Sequence, residues 1–567
     1  MSRNSFRHLL FSSLLILGLI LAACAPASSP ATAPADDAAP AADDAAAADD
    51  AAAAEDTEQL LRFGHSQTVA HFSPLDVVNG LQIYIQKWVF SKLIQWDRNG
   101  EIIPDLAESY TVSDDGTVYT FTLREDVKWH DGEPFTAEDV VFTFNYLLNP
   151  DAGARLLSNF QIIEGAAEYG AGEADSVSGV QATGEYEVTF TLTEPSAVFL
   201  VDMLHQTGPS IMPEHVVGQI PPAEFETSDF RSKRPYPGTG PYVFDRYETD
   251  RFIELSAYPE YHRGGPIVDR IRFDLIPDSN TRIVALENGE VDLIMDIPED
   301  EFERLSGVEG ITMITQETPT VQGTFIESDQ SNEDPKKVAI RTPQFRQALV
   351  HAMDMDSLIN DVMLGLVSRQ SCIFIQEWAC PEDPAEYAYD PDRARALLEE
   401  IGWDESWEVD WMILATEGGL DPVHAVVQQM YADVGINAVP RPVDIPTFIQ
   451  DFYENGDFDV TWVPYGAGPD PNVAANNFLV CGQLYPNGYN GTRYCNDRVT
   501  ELVKSGTTVI DQAERAAIYQ EIATIANEEL PLIPIWRGLQ TAATRDNVNL
   551  QYEHYNWDDV NLWSIDQ

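Results

Sequence analysis

The sequence predicts an α/β protein made of two or three lobes, and three observations support this fold class. Strand and helix patterns alternate along the chain, as they do where helices pack against the faces of a sheet. The globular part, residues 59–567, is longer than one hydrophobic core usually supports. No internal repeat is visible at the periods typical of solenoid proteins. We therefore expect separate α/β lobes rather than one large core or a repeat array.

The chain begins with a pattern typical of a bacterial lipoprotein signal peptide, residues 1–24. Arg3 and Arg7 precede an apolar run over residues 9–21, which is shorter than a membrane-spanning helix needs to be. The run ends in Leu-Ala-Ala-Cys, which resembles the lipobox, and this resemblance implies that Cys24 is lipidated and becomes the mature N-terminus. The alternative is an ordinary signal peptide with an incidental cysteine. The lipobox predicts an extracytoplasmic protein anchored to the membrane, at the cell surface or in the periplasm.

Residues 25–58 are predicted to form a disordered linker. They consist almost entirely of Ala, Pro, Ser, Thr, Asp and Glu, and they include no Leu, Ile, Val or aromatic side chain. Such a segment cannot bury enough apolar surface to offset the entropy lost on ordering. Its paired aspartates repel one another and extend the chain. We expect a tether between the lipid anchor and the folded body.

The folded body is strongly acidic. The whole chain has 93 acidic and 33 basic residues, and outside the linker and signal peptide 84 acidic and 31 basic residues remain, a net charge of −53. A surface of this charge repels phosphate backbones, which argues against nucleic acid as a partner. The charge does not identify the substrate.

Two strands, a helix and a further strand are predicted between residues 118 and 192. Residues 118–123 follow an Asp-Asp-Gly turn and alternate in the manner of a strand, and residues 127–132 resemble a strand that runs into an Asp-Gly turn. Thr136 is expected to be the N-cap of a helix, because acidic residues follow in the first turn. Residues 187–192 alternate again and should pair in the same sheet.

Three later segments have the apolar spacing of helices. The first covers residues 343–366. The second covers residues 392–401 and is expected to end at Gly402, since glycine is the preferred residue after a helix. The third covers residues 513–529 and ends before Pro531.

Beyond Cys24 the chain has four cysteines in two local pairs, Cys372 with Cys380 and Cys481 with Cys495. In an oxidising compartment an even number of locally paired cysteines predicts two small disulfide loops. The alternative is a metal site, but the usual Cys-x-x-Cys spacing or a nearby histidine pair is missing from the sequence.

Four sequence blocks together carry a resemblance to a known family. They include Ile-Pro-Asp-Leu-Ala-Glu-Ser-Tyr and Trp-His-Asp-Gly-Glu-Pro-Phe-Thr-Ala-Glu-Asp-Val in residues 103–140, Gly-Thr-Gly-Pro-Tyr in 238–261, and the blocks at 340–354 and 389–402. In this order the blocks resemble the extracellular solute-binding proteins of family 5, the peptide- and nickel-binding group of ABC importers. The resemblance extends over residues 60–564.

The resemblance implies a periplasmic-binding-protein-like type II (cluster C) fold with two α/β lobes and a hinge. Lobe I is expected at residues 59–91, 205–318 and 535–567, with an extra domain inserted at 92–204, and lobe II at 319–534. A ligand would lie between the lobes, and hinge closure would bury it. The implied partners are an ABC permease, which would recognise the closed form, and its ATPase subunits. We expect a monomer without a cofactor.

The resemblance also implies where a ligand would bind. In peptide-binding members an extended ligand pairs its backbone with two short protein segments. Carried onto this chain, the substrate-binding residues are Val78, Asn79, Gly80, Trp462, Tyr465, Gly466, Ala467 and Asp470. Peptide binders usually hold the ligand ammonium with an aspartate just before an Asp-Pro step, but here Gly468 occupies that place. Asp470 either substitutes for this aspartate or caps the turn before Pro471.

Oligopeptide is the expected ligand, and oligosaccharide is the alternative. Aromatic side chains that suit sugar stacking occur in the expected second lobe: Trp378, Trp462, Tyr465, Tyr485 and Tyr489. Most tryptophans in a chain of this size belong to the core, however. Nickel is disfavoured because the sequence has no suitable histidine cluster, and we assign no metal site.

The chain is not expected to be an enzyme, and no catalytic residue is assigned. It lacks Gly-x-Ser-x-Gly, His-Glu-x-x-His and the phosphate-binding loop motif. Carboxylates are so abundant that a pair with glycosidase spacing carries no information. Two alternatives from other classes are a secreted hydrolase, which would turn its ligand over, and a structural or sensory surface lipoprotein, which would bind no small ligand saturably.

Overall fold

A computed structural model describes residues 58–566, apart from 70, 76–79, 98–100, 155–156, 205–207, 383–386, 415–421, 486–487 and 551–556. The expected signal peptide, Cys24 and nearly all of the expected linker lie outside the described residues. Within the described ranges, no helix combines the length and the apolar character that crossing a membrane would require.

The strands of the described residues are, in chain order, β1 (Leu60–His65), β2 (Ile94–Trp96), β3 (Ile102–Pro104), β4 (Ala107–Val112), β5 (Val118–Leu123), β6 (Val180–Gly184), β7 (Glu187–Thr191), β8 (Tyr242–Glu248), β9 (Phe252–Ala257), β10 (Arg270–Leu275), β11 (Leu293–Met295), β12 (Ile311–Ile326), β13 (Glu408–Leu414), β14 (Asn437–Val443), β15 (Val460–Gly466), β16 (Leu532–Arg545), β17 (Val548–Asn549) and β18 (Ser564–Ile565).

The α-helices are α1 (Gly80–Val89), α2 (Ala137–Leu147), α3 (Ala166–Gly170), α4 (Phe199–Leu204), α5 (Glu214–Val217), α6 (Asp229–Ser232), α7 (Ser279–Glu287), α8 (Glu299–Ser306), α9 (Pro335–Ile340), α10 (Pro343–Ala352), α11 (Met355–Ser357), α12 (Pro391–Glu400), α13 (Pro422–Asp433), α14 (Ile445–Phe448), α15 (Pro471–Leu479), α16 (Asp497–Thr508) and α17 (Gln512–Glu529).

A ten-stranded mixed sheet runs through the body in the order β14-β13-β15-β12-β16-β11-β1-β10-β9-β8. Strands β1 and β10 are parallel, as are β13 and β14, whereas the two long central strands β12 and β16 are antiparallel. Residues Ile311–Glu317 pair with Leu539–Arg545, and Val321–Phe325 pair with Leu532–Arg537. The register shifts between these two stretches, which is the kind of irregularity that bends a ladder.

The buried hydrophobic residues divide at this register shift. Two hydrophobic clusters draw on residues up to Leu305 and again from Ala542 onwards, and two others draw on residues between Val321 and Trp536. We call the described residues up to 317 and from 538 the first half, and residues 321–537 the second half. Each half has its own core, and among the described strands only β12 and β16 are shared between them.

The first half carries a second, four-stranded sheet in the order β4-β5-β7-β6. The expected strands at 118–123 and 187–192 are β5 and β7, and they pair with each other as predicted. Helix α2 begins after Thr136, and Thr136 N–H donates to the Asp139 carboxylate at 3.0 Å in a capping box. Both predictions are confirmed.

Two predicted elements differ in the structure. The strand expected at 127–132 is wrong, because this segment is a turn closed by a single bridge between Lys128 and Pro134. The Trp129 indole is buried and its Nε1 lies 3.3 Å from the Asp139 carboxylate, so tertiary packing decides the local backbone. The helix expected over 343–366 ends at Ala352, and Asp354 caps a new turn by accepting from Ser357 N–H.

The other two helix predictions are confirmed as α12 and α17. In both, an aspartate that precedes the helix accepts backbone N–H groups of the first turn. In the structure the sulfur atoms of Cys372 and Cys380 are bonded, with the Cα atoms 6.2 Å apart. Those of Cys481 and Cys495 are also bonded, with Cα atoms 4.5 Å apart.

Candidate functional site

A cavity of about 440 Å³ lies between the two halves of the body. Residues of both halves line it, together with the segment of β12 that crosses from one half to the other. The first half contributes Gln86, Lys87, Phe90, Ser91, Lys92, Gln95, Trp96, Asp105, Leu204, Ser210 and Tyr261. The second half contributes Ile375, Gln376, Trp378, Gly466, Gly468, Pro469 and Val473, and the crossing segment contributes Pro319 and Thr320.

The C-terminal end of α1 supplies one wall of the cavity. The helix is held by aromatic packing, since the Trp88 ring lies 5.1 Å from Phe273 and 5.4 Å from Trp563. The segment around Gly240 packs against the end of the helix, and Gly240 N–H donates to Val89 C=O at 3.0 Å. A Cβ at Gly240 would lie 2.6 Å from Trp88 O, so only glycine allows this approach.

Four polar side-chain atoms around the cavity have no hydrogen-bond partner among the described residues. They are Gln86 Oε1, Ser91 Oγ, Gln95 Nε2 and Gln376 Oε1. Gln86, Ser91 and Gln95 are only 5%, 4% and 8% exposed. Buried polar atoms are nearly always paired, because an unpaired one costs about 1–3 kcal/mol. Unpaired donors and acceptors on residues that line one cavity indicate a site for a polar ligand.

The buried carboxylate in the cavity wall, Asp105, is already engaged. Its Oδ1 lies 2.7 Å from His262 Nε2, and its Oδ2 accepts from Lys92 N–H at 3.1 Å. Asp105, directly after β3, therefore ties this segment to Lys92, which precedes β2, and to His262. It is a structural acid at the edge of the site.

The second wall follows the end of β15, and the structure separates the residues that the sequence groups there. Gly466 lines the cavity, and a Cβ at this position would meet open space. Tyr465, the preceding residue of β15, is buried on the other face of the strand, where its hydroxyl donates to Ile373 C=O at 3.0 Å. Ala467 is also buried, and its N–H donates to Pro319 C=O at 2.8 Å.

Gly468 lies in the left-handed region, with φ of +67°, and lines the cavity. A Cβ at this position would lie 2.7 Å from Val473 Cβ, so any side chain would meet both backbone strain and a clash. Gln376 Nε2 donates to Gly468 C=O at 2.8 Å and holds the loop in this shape. The glycine is thus required by the local geometry, and the loop presents no carboxylate at this position.

Asp470 points into the second half rather than into the cavity wall. Its two oxygens accept from Arg515 Nη1 and Nη2 at 2.7 Å each, and Asp470 also caps α15 by accepting from Asn472 N–H at 2.9 Å. The two side chains are only 8% and 5% exposed. A bidentate, buried pair of this kind leaves Asp470 without a free oxygen for a ligand amine.

Of the other aromatic residues predicted from the sequence, three pack against aromatic side chains and one lines the cavity. Trp462 is buried against Trp411 and Trp536, at ring distances of 6.0 and 5.6 Å. Tyr485 and Tyr489 pack on Tyr453 at 6.0 and 5.8 Å. Trp378 lines the cavity.

The segment expected at residues 78–80 is only partly described. Val78 and Asn79 lie outside the described residues, and Gly80 begins α1, six residues before Gln86. The polar residues Gln86, Ser91, Gln95 and Gln376 were not predicted from the sequence. One available signal is the spacing of Gln82 and Gln86, which places two buried amides one turn apart in a helix whose other buried residues are hydrophobic.

The two halves also touch beside the cavity. Ala197 N–H, just before α4, donates to Thr507 C=O near the end of α16 at 2.7 Å. Asp202 of α4 accepts from Asn159 Nδ2 at 2.9 Å. Burial raises the pKa of Asp202 to about 7, and the negative charge of Asp470 in the second half adds to this increase.

Comparison with known proteins identifies the family. The model of bacterial extracellular solute-binding proteins, family 5 (middle region), matches residues 101–485. The chain belongs to family 5 of the bacterial extracellular solute-binding proteins. This confirms the resemblance, and a family of solute binders is not a family of enzymes.

Individual relatives agree with the family 5 assignment. A Brucella ovis protein, named as a peptide-binding protein of an ABC transporter, is 31% identical over 474 residues, which are 82% of this chain and 84% of the relative. The crystal structure of the substrate-binding protein CtaP from Listeria monocytogenes has a TM-score of 0.78 and 24% identity, and covers 90% of this chain and 100% of that one.

The oligopeptide-binding protein AppA from Bacillus subtilis, solved with a nonapeptide, has a TM-score of 0.73 and 22% identity, again over 90% of this chain and 100% of that one. These structural matches confirm the expected periplasmic-binding-protein-like type II fold.

Proposed function

We propose that this family 5 protein is the substrate-binding component of an ABC importer and that it captures oligopeptides outside the cell. The observation that carries the proposal is the cavity between the two halves, whose lining includes four side chains with an unpaired neutral polar atom. Amide and hydroxyl groups of this kind match the N–H and C=O groups of a peptide backbone. The names of the Brucella ovis relative and of AppA, which was solved with a nonapeptide, support the same ligand class.

The two halves would act as the lobes of a clamp. The first half would serve as lobe I, expected at 59–91, 205–318 and 535–567 with its extra domain at 92–204, and the second half as lobe II, expected at 319–534. Ile535 and Trp536 pack in the core of the second half, so the boundary near residue 535 would shift to 538. Strands β12 and β16 would form the hinge, because their register shift lies between the two cores. A permease that binds the closed form better than the open form would distinguish the ligand-bound protein from the empty one, and its ATPase would drive import.

The remaining parts of the proposal concern the cellular setting. Lipidation of Cys24 would anchor the protein to the membrane at the cell surface or in the periplasm. The acidic linker at 25–58 would hold the body away from the membrane surface. The protein would act as a monomer, since one body contains the complete cavity.

The first test is native mass spectrometry of the purified protein, followed by calorimetric titration with the peptides that copurify. We expect intact peptides at one per chain. In the variant Gly466→Trp, the indole would enter the open space of the cavity and abolish binding without disturbing the core. Gly170→Trp is the matched control, because Gly170 also faces open space but lies in α3, away from the cavity. Peptide binding that survives Gly466→Trp would contradict the site.

Oligosaccharide is the second candidate, and the aromatic residues Trp96, Trp378 and Tyr261 in the cavity wall favour it. The same spectra distinguish the candidates, because a bound sugar has a different mass from a peptide. Recovery of a cleaved ligand would instead support the hydrolase alternative.

A further inference from the structure

At residue 468 the cavity wall presents a glycine where peptide binders usually hold the ligand ammonium with a carboxylate. We propose that this site recognises the amide backbone of a peptide without requiring its α-ammonium group, so that N-acylated peptides are ligands equivalent to free peptides. This inference rests on the proposed peptide-binding function. It concerns how the same site selects among peptides.

The first observation is that Gly468 excludes a carboxylate from its own position. The backbone there is left-handed, and the space that a Cβ would need is occupied by Val473 at 2.7 Å. The loop cannot relax easily, since Gln376 Nε2 holds Gly468 C=O at 2.8 Å. An aspartate at residue 468 is therefore incompatible with the loop as it stands.

The second observation is that the nearby acids have other partners. Asp470 uses both oxygens on Arg515, and Asp105 is held by His262 and by Lys92 N–H. The other charged side chains in the described part of the lining, Lys87 and Lys92, bring no negative charge. An ammonium buried beside Gly468 would have to be desolvated without a carboxylate of its own, which is unfavourable.

The third observation is the chemistry of the unpaired atoms. Gln95 Nε2 is a donor, Gln86 Oε1 and Gln376 Oε1 are acceptors, and Ser91 Oγ can be either. An N-terminal acyl group replaces an ammonium with an amide, which adds one acceptor and keeps one donor. This set of groups matches such an amide, and Phe90 and Trp96 in the same wall can contact the acyl carbon.

Calorimetric titration of the purified protein with alanine peptides of three to six residues, each with a free or an acetylated N-terminus, tests the inference. We expect acetylation to change Kd by less than about fivefold, which corresponds to less than about 1 kcal/mol. A loss of affinity of fivefold or more on acetylation would overturn the inference while leaving peptide binding intact. If neither form of any length binds, the proposed peptide function itself fails, and the inference fails with it.

Two variants sharpen the test. Gln95→Leu removes a buried donor and should weaken free and acetylated peptides alike by about tenfold or more, whereas Gln181→Leu on the surface of β6 should leave both unchanged. The double variant Gly468→Asp with Val473→Gly makes room for a carboxylate, because it also removes the Val473 Cβ at 2.7 Å. It should bind free peptides at least about tenfold better than acetylated ones, as expected for a buried charge-assisted bond. Equal binding by a folded double variant would count against the role of residue 468.

Discussion

At the scale of single residues, Asp470 shows how one carboxylate can serve the fold instead of the ligand. The sequence leaves two roles open for Asp470, ammonium binding and turn capping. The structure adds a third role, an ion pair with Arg515. This arginine lies 45 residues further along the chain and donates to both carboxylate oxygens. Removing one member of such a buried pair leaves an uncompensated charge, which typically costs about 3–5 kcal/mol. Asp470 therefore stabilises the loop that carries Gly468.

Asp202 gives the body a pH-dependent stability that can be measured. Its pKa is raised to about 7 in the folded protein, so the folded state favours the protonated form. The stabilisation is fully present below about pH 4, the ordinary pKa of an aspartate, and is lost as the pH rises through 7. Asp202→Asn stays neutral, so its midpoint of urea unfolding should match the wild type near pH 4 and exceed it near pH 8.

Asp404→Asn is the control variant, for which the expected change in stability at high pH has the opposite sign. Hydrogen bonds from Ser406 lower the pKa of Asp404, so its charge stabilises the folded protein at high pH, and the variant should be slightly less stable there. Identical pH profiles for the wild type and Asp202→Asn would show that Asp202 is not desolvated.

Site residues were only partly predictable from the sequence, for a physical reason. Gly466 was predicted because the family resemblance implies a ligand-binding segment there, and the structure places this glycine in the cavity wall. Tyr465 and Trp462 lie in the same strand as Gly466, but the direction of their side chains depends on contacts with Ile373 and Trp536. Gln376 reaches the cavity from a loop distant in sequence, and no local pattern encodes that proximity.

At the scale of elements, the contact between α1 and the segment at Gly240 links the fold to the site. A methyl group at Gly240 would lie 2.6 to 2.9 Å from backbone atoms of Trp88, Val89 and Phe90, which cannot move independently. Gly240→Ala should therefore displace the end of α1, lower the free energy of unfolding by about 1–3 kcal/mol and weaken ligand binding through Ser91.

Chemical unfolding and calorimetry on the same preparations measure both effects. The control is Gly170→Ala, since the added methyl group meets open space in α3. If Gly240→Ala retained wild-type stability and affinity, the close approach would not position the site.

Elements with strong local signals were predicted best. β5, β7, α12 and α17 combine regular spacing with a turn or an N-cap, and their positions agree with the sequence. The segment at 127–132 alternates like a strand but contains Trp129, which is buried by contact with Asp139 and leaves the backbone in a turn. The break after Ala352 arises because Asp354 caps a new turn inside an apparently continuous helical pattern.

At the scale of the whole molecule, the prediction is that ligand binding changes the arrangement of the two halves. Because β12 and β16 carry the chain between the two cores, rotation about their register shift would move each half as a unit. Small-angle X-ray scattering should show a smaller radius of gyration after addition of a copurified peptide. Gly466→Trp should show no change on addition of the same peptide. Scattering curves that coincide although calorimetry detects wild-type binding would contradict a hinge.

The division into halves could be anticipated from length and family resemblance, but the shared sheet could not. Pairing of β12 with β16 joins residues more than 200 positions apart, and no local sequence pattern specifies such a register. The two cores follow from this pairing, since each strand contributes apolar side chains to both.

The late position of β16 also governs how the chain can be made. Strands β11 and β12 both pair with β16, which ends at residue 545. A nascent chain that emerges N-terminus first therefore carries two unsatisfied strand edges until residues 532–545 have been made. Neither half can complete its part of the sheet before then, and until then the exposed edges need protection from aggregation.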